Sequence, residues 1–115
     1  MKLNKPIIQK WIRALRSGRY KQTRKFLRSD GKYCCLGVLC NIVKPQVKGK
    51  WYGSCFKVKD NGDEFNLPVS VQNFAGVSNS LHDSCVTWND EQNMNFKEIA
   101  QKLEDKLNQR KKKNA

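Results

Sequence analysis

Apolar residues recur with a helical period in three stretches of this chain. Ile7, Trp11 and Leu15 fall at i, i+4 and i+8, with Ile8 and Ile12 beside them, which predicts an amphipathic helix over 5–17. Asn4 offers an N-cap, Pro6 suits the first turn, and Gly18 is placed to end the helix. The stretch YCCLGVLC at 33–40 opens a second helix, because from Cys34 on Leu36, Leu39, Cys40 and Val43 repeat at i, i+3, i+4 and i+7. Gly37 inside it predicts close approach by another element, and Lys44-Pro45 is expected to stop it. In the third stretch Phe96, Ile99, Ala100, Leu103 and Leu107 form one stripe, introduced by Asn95 and Glu98 as a capping-box pair with Asn in place of Ser or Thr.

Between these helices the pattern turns extended. The Ser29-Asp30-Gly31 turn joins Phe26-Leu27-Arg28 to Lys32-Tyr33-Cys34, a hairpin signal. Residues 49–58 read as one strand with Trp51, Tyr52 and Phe56 as its large side chains, and DNGDE at 60–64 reads as a turn. Residues 67–76 predict a short helix with Pro68 in its first turn and Gly76 as its stop. VSNSLHDS at 77–84 reads as loop and 85–88 as a short strand. The predicted fold class is α+β: a compact single globular domain over 1–109, with three to four helices packed on a small antiparallel sheet or hairpin. A basic disordered tail is expected over 110–115.

Composition fits one modest core. The chain has 115 residues and eleven Trp, Tyr and Phe, enough large units for a single domain. No stretch approaches the ~20 apolar residues that cross a bilayer, so no membrane partner is expected. The first residues are basic but lack a continuous apolar run, so the expected location is cytosolic, with reduced thiols. Five cysteines are an odd number for a disulfide framework.

Charge changes the picture most. Of 23 Lys and Arg and 10 Asp and Glu, residues 1–50 hold 14 cations and a single acid, Asp30. Residues 51–109 hold nine acids and five cations. Such asymmetry points to a phosphate-bearing partner, although net charge also serves solubility. Residues 10–28 concentrate eight cations in nineteen positions, interleaved with Tyr20 and Gln22. That composition suits phosphate contacts with a stacked base. A bare charge run is usually a solvated face, yet an ordinary face mixes signs, and 1–29 contains no acid.

Other chemistry finds less support. A zinc site from Cys35, Cys40, His82 and Cys85 is conceivable, but Cys40 lies on the apolar stripe, and adjacent Cys34 and Cys35 diverge by about 100° on a helix. Packing of cysteines in the core is the stronger reading, so no metal or other cofactor is expected. His82 is the only histidine and no motif pairs it with a nucleophile. RSGRYKQT lacks the glycine spacing of a phosphate loop. The chain is therefore not expected to be an enzyme. Asn89-Asp90 reads from the residues alone as a turn.

WIRALRSGRYKQTRKFLRSDGKYCCLGVLCNI resembles a widespread family of small bacteriophage proteins. Their pattern runs W-x-x-A-L-R-S-G-x-Y-x-Q, then L-R, a short hairpin and Y/F-C-C-L-G-V-L-C-D/N. LPVSVQNFAGV and WNDEQNMNFKEIAQKLE match two further segments, so the resemblance spans nearly the whole chain. Cys55, His82 and Cys85 lie outside the pattern. Through this family the chain is similar to viral nucleotide sponges, the anti-CBASS and anti-Thoeris factors of phage immune evasion. The resemblance implies a protein of the host bacterial cytoplasm that binds a cyclic di- or trinucleotide signal and does not cleave it. It also implies, by analogy, a homo-oligomer. Carried onto this chain, the polar motif positions Arg16, Ser17, Tyr20, Gln22, Arg28, Asn89 and Asp90 are the expected ligand contacts. Arg16 and Arg28 would meet phosphates, Tyr20 would stack, and Gln22, Asn89 or Asp90 would read base edges. The alternatives are a DNA- or RNA-binding protein using the same basic half, and a host-takeover protein that binds an acidic host protein.

Overall fold

Helix α1 (Lys5–Arg16) buries Ile8, Trp11, Ile12 and Leu15 against α5 and α2, as the sequence period requires. The computed structural model describes residues 2–113, with side chains described through Gln109. Trp11 is fully buried and donates Nε1–H to the Cys35 carbonyl at 2.9 Å, tying α1 to the start of α2 (Cys35–Val47). Asn4 stands at the N-cap position, but its side chain donates to the Phe74 carbonyl at 2.9 Å instead of capping α1.

Helix α2 forms the centre of the core, with six consecutive residues from Cys35 to Cys40 buried. Cys34 is its N-cap, its sulfur accepting from the Gly37 amide at 3.4 Å. Gly37 is required by packing: a Cβ built there would lie 1.8 Å from the Leu27 carbonyl oxygen. Pro45 does not stop the helix, contrary to the sequence expectation. It sits in the last turn, where the missing N–H forfeits one bond, and the helix closes at Lys48 in the left-handed region.

The predicted hairpin is present but short, with β1 (Arg28–Ser29) antiparallel to β2 (Lys32–Tyr33) around Asp30 and Gly31, both at positive φ as a type I′ turn requires. Beyond the strands the Leu27 carbonyl still accepts from the Cys34 amide at 3.1 Å, while the Leu27 amide turns to the Glu64 carbonyl at 2.7 Å. The single strand expected over 49–58 is instead a hairpin of β3 (Gly49–Tyr52) and β4 (Cys55–Val58), folded at Gly53-Ser54. The turn expected over 60–64 contains a third strand, β5 (Asn61–Asp63), which pairs with β4. Aromatic pattern alone did not reveal the reversal, because Trp51 and Phe56 lie in cross-strand register on one face.

Helix α3 (Val69–Ala75) lies within the expected span and stops at Gly76 as expected, with Pro68 at its N-cap and not in its first turn. The expected loop over 77–84 is mostly helix α4 (Asn79–Val86): Ser78 caps it by accepting from the Leu81 amide at 3.2 Å, and Leu81, His82 and Cys85 turn inward. The strand expected over 85–88 is also absent, since α4 runs into a π-helical turn, Thr87–Glu91. Helix α5 (Phe96–Lys113) has the predicted capping box, with the Glu98 amide donating to Asn95 Oδ1 at 2.9 Å and the Asn95 amide to Glu98 Oε1 at 3.1 Å. The expected tail at 110–115 falls on residues whose side chains, and at 114–115 also the backbone, lie outside the described ones. The fold is α+β, with five α-helices among the described residues, one more than the upper expectation, and antiparallel sheets of two and three strands. No helix among the described residues is long and apolar enough to cross a membrane.

Candidate anion-binding site

Asn41 follows Cys40 on α2 and is the first polar side chain after the buried run. Its Nδ2 donates to the Tyr20 hydroxyl at 2.9 Å, while its Oδ1 accepts from Trp51 Nε1 at 3.2 Å. One amide thus holds two aromatic side chains from distant parts of the chain. Tyr33 fills the space between them, 5.1 Å from Tyr20 and 5.8 Å from Trp51, both edge-to-face. Phe56 closes the row beneath Trp51 at 4.9 Å. The result is a continuous aromatic wall whose geometry favours stability over a face-to-face stack.

Arg28 leans on this wall. Its guanidinium carbon lies 4.8 Å from the Trp51 ring centroid, and its Nε donates to the Gly53 carbonyl at 3.1 Å. These two contacts orient the group without using its terminal nitrogens in any hydrogen bond among the described residues. In front of it opens a cleft of about 660 Å³, lined by Arg28, Lys44, Pro45, Lys48, Lys50 and Trp51 together with Gly49. Four cations and no acid line it. The side chains of Lys44, Lys48 and Lys50 are exposed and make no ion pair among the described residues.

The seven residues expected to contact a ligand divide between this cleft and other roles. Arg28 lines it, and half-buried Tyr20 supports its wall through Asn41. Arg16 does not reach it: its Nη2 pairs with Glu104 at 2.6 Å and donates to Gln101 at 3.1 Å, in a separate groove between α1 and α5. Ser17 donates its hydroxyl to the Ala14 carbonyl at 2.7 Å and accepts from the Arg19 amide, finishing α1.

Gln22, Asn89 and Asp90 form a buried-to-surface latch. Asn89 is only 1% exposed, although it is polar. Its Oδ1 accepts from Gln22 Nε2 at 2.8 Å and from the Cys35 amide at 3.2 Å, and its Nδ2 donates to the Thr23 carbonyl at 2.9 Å and to Asp90 Oδ1 at 2.8 Å. Gln22 also reaches the Met94 carbonyl, and Asp90 accepts from the Lys25 amide at 2.9 Å. The π-helical turn aims Asn89 inward, and the network pins the irregular segment 19–27 over the start of α2. Among the described residues no buried polar side-chain atom lacks a partner.

The cysteine cluster belongs to the hydrophobic core. Cys34, Cys35, Cys40 and Cys85 are buried, and the Cys35 thiol points to the Cys85 carbonyl at 3.6 Å. Burial pushes the thiols of Cys34, Cys35 and Cys40 well above the ordinary thiol range. Such thiols stay protonated and are poor nucleophiles. His82 Nε2 accepts from the Leu67 amide at 3.1 Å, and among the described residues no group of three or more His, Cys, Asp or Glu is gathered as a metal site would require.

Reading of the sequence missed Asn41, Tyr33, Trp51 and the three cleft lysines. The available signal was Trp51 flanked by Lys50 and Tyr52, and the polar Asn41 that breaks the apolar run after Cys40. No curated protein and no solved structure matches the chain. A family model described as a domain of unknown function, DUF8296, matches residues 3–107, nearly the whole domain, and the chain belongs to that family.

Proposed function

We propose that this chain is a bacteriophage immune-evasion protein that binds a cyclic di- or trinucleotide signal in the Arg28–Trp51 cleft and sequesters it intact in the host bacterial cytoplasm. One observation carries the reading: a guanidinium oriented on a tryptophan ring faces three lysines that make no ion pair among the described residues, with no acid in the lining. A guanidinium fork and ammonium groups match phosphate oxygens, and the wall offers an aromatic edge to a base. The volume lies within the roughly 300–1,000 Å³ typical of small-ligand sites. Retention of the ligand without cleavage fits a cleft whose lining holds cations and a ring but no general base or nucleophile. The cleft is open on one side, so a second copy of the chain closing it would account for the homo-oligomer that the phage-family resemblance implies.

A thermal-shift panel at near-physiological salt tests this, using cyclic dinucleotides, cyclic trinucleotides, cyclic ADP-ribose isomers and a short DNA duplex. At a thousandfold excess over Kd a ligand adds about 4 kcal/mol, more than about 10 °C in a domain of this size. The expected result is a large shift with one cyclic nucleotide, recovered intact on denaturation and lost in Trp51→Ala. No shift with any cyclic nucleotide would falsify the reading.

A further inference from the structure

We infer that the outer face of the β3–β4 hairpin is a docking surface for single-stranded nucleic acid, distinct from the cleft beside it. A second, smaller hollow of about 230 Å³ lies there, lined by Lys48, Lys50, Tyr52, Lys57 and Lys59. Four of five lining residues are lysines and none is acidic. Register makes this costly: Lys50 and Lys57 are direct cross-strand partners, and Lys48 and Lys59 flank the next pair, Gly49 and Val58. Like charges facing each other across a ladder repel. The neighbouring strand offers no relief, since Gly62 is the partner of Lys57 and brings no side chain.

The backbone adds a second cost at the same place. Lys48 and Lys59 have φ of 56° and 57°, the left-handed region where glycine is the undemanding residue. Lysine therefore occupies two positions that conformation alone would give to glycine, and both point the charge count of one face upward. An anion resting on the hairpin offsets the repulsion.

Tyr52 decides the class of anion. It is 61% exposed at the hairpin end, and Lys57 Nζ lies 5.9 Å from its ring centroid. An exposed ring among lysines is a stacking platform for an unpaired base, whereas the bases of a duplex are already stacked on one another. Lys50 and Tyr52 are about 7 Å apart along β3, with Lys48 just before the strand, so the face offers charges leading up to the ring. Lys48 and Lys50 line both hollows, whereas Tyr52, Lys57 and Lys59 line only this one, so variants at these three test the inference separately from the proposed cyclic-nucleotide site.

Fluorescence anisotropy of the full chain with labelled twelve-residue oligothymidine and oligouridine, and a duplex of equal length, provides the test. Wild type is expected to bind the single strands at 50 mM salt and the duplex more weakly. Lys57→Gln/Lys59→Gln should bind at least about tenfold more weakly, with a salt slope shallower by about 1.4, the share of two phosphates. Tyr52→Ala should lose about fivefold or more with an unchanged slope. Lys59→Gly serves as the folding control: its melting temperature should be no lower than wild type while its strand affinity falls. Absence of wild-type binding overturns the inference, as does equal affinity for the duplex, undiminished binding by the double variant, or full competition by tripolyphosphate at equal phosphate concentration.

Discussion

Two stretches of this chain are basic and free of acids between their ends, residues 10–28 and the stretch around the β3–β4 hairpin, 44–59. The first is richer, with eight cations in nineteen residues against five in sixteen. Yet the structure spends the polar residues of the first on the fold. Arg16 bridges to α5, Ser17 finishes α1, and Gln22 belongs to the Asn89 latch. Arg28 alone of that run lines the cleft, and there it joins lysines of the second stretch. The second stretch has fewer charges, but the end of α2 and the hairpin gather them into two adjoining hollows, one beside Trp51 and one beside Tyr52. Charge density along a sequence is therefore a poor guide to where charges converge on an aromatic side chain in space.

Both stretches rest on α2, so the largest expected effect strikes the floor they share. The thiols of Cys34, Cys35 and Cys40 have raised folded pKa values, caused first by burial. A raised value means the folded chain keeps its proton while the unfolded chain releases it, so stability is full below the unfolded value of about 8.5 and falls as pH rises beyond it. Three such thiols should remove about 4 kcal/mol between pH 7.5 and 9.5. Urea denaturation at the two pH values measures it, and Cys40→Ala should lose about a third less over the same interval. An unchanged difference in that variant would show that Cys40 ionises in the folded state.

Next in size, Asn89→Ala should cost about 3 kcal/mol, because it strands the buried Cys35 amide and the Thr23 carbonyl as well as removing its own bonds. This outcome places Asn89 in the framework of the first stretch. A variant of wild-type stability that no longer binds ligand would instead make Asn89 a reader of base edges and erase the distinction between the two regions.

What could be read from the residues follows the same division. The periods of α1 and α5 were legible because each buries one stripe against the core, α2 was legible as an apolar run that is buried nearly all round, and Gly37 announced its contact with Leu27. Helix α4 was hidden because its Ser, Asn and Asp residues have turn-forming habits and only three of its positions face inward. The hairpin was hidden because a reversal at Gly53-Ser54 leaves the alternation of large side chains nearly intact. The cleft was illegible for a stronger reason: Tyr20, Asn41 and Trp51 meet through two hydrogen bonds that span 21 and 10 residues and through the Tyr33 ring between them. Nothing local marks that meeting. The motif positions were easy to find, and several of them serve the latch.

The last two predictions set one arginine against the other. Arg28→Ala should weaken binding of the cyclic nucleotide that shifts the wild type by at least about tenfold, roughly 1.4 kcal/mol or more, since a charged group that meets phosphate contributes about 1.5–3 kcal/mol. Arg16→Ala should leave that affinity unchanged. Its ion pair with Glu104 is short, but the two side chains are 39% and 41% exposed, so solvent screens them and the loss in stability should be about 0.5 kcal/mol or less. Isothermal titration of both variants, with urea denaturation alongside, separates the two quantities. The informative failure is an Arg16→Ala protein that keeps its stability and loses its ligand. That result would mean Glu104 holds Arg16 only until a phosphate arrives, and the groove between α1 and α5 would then belong to the binding surface with the first basic stretch as its edge.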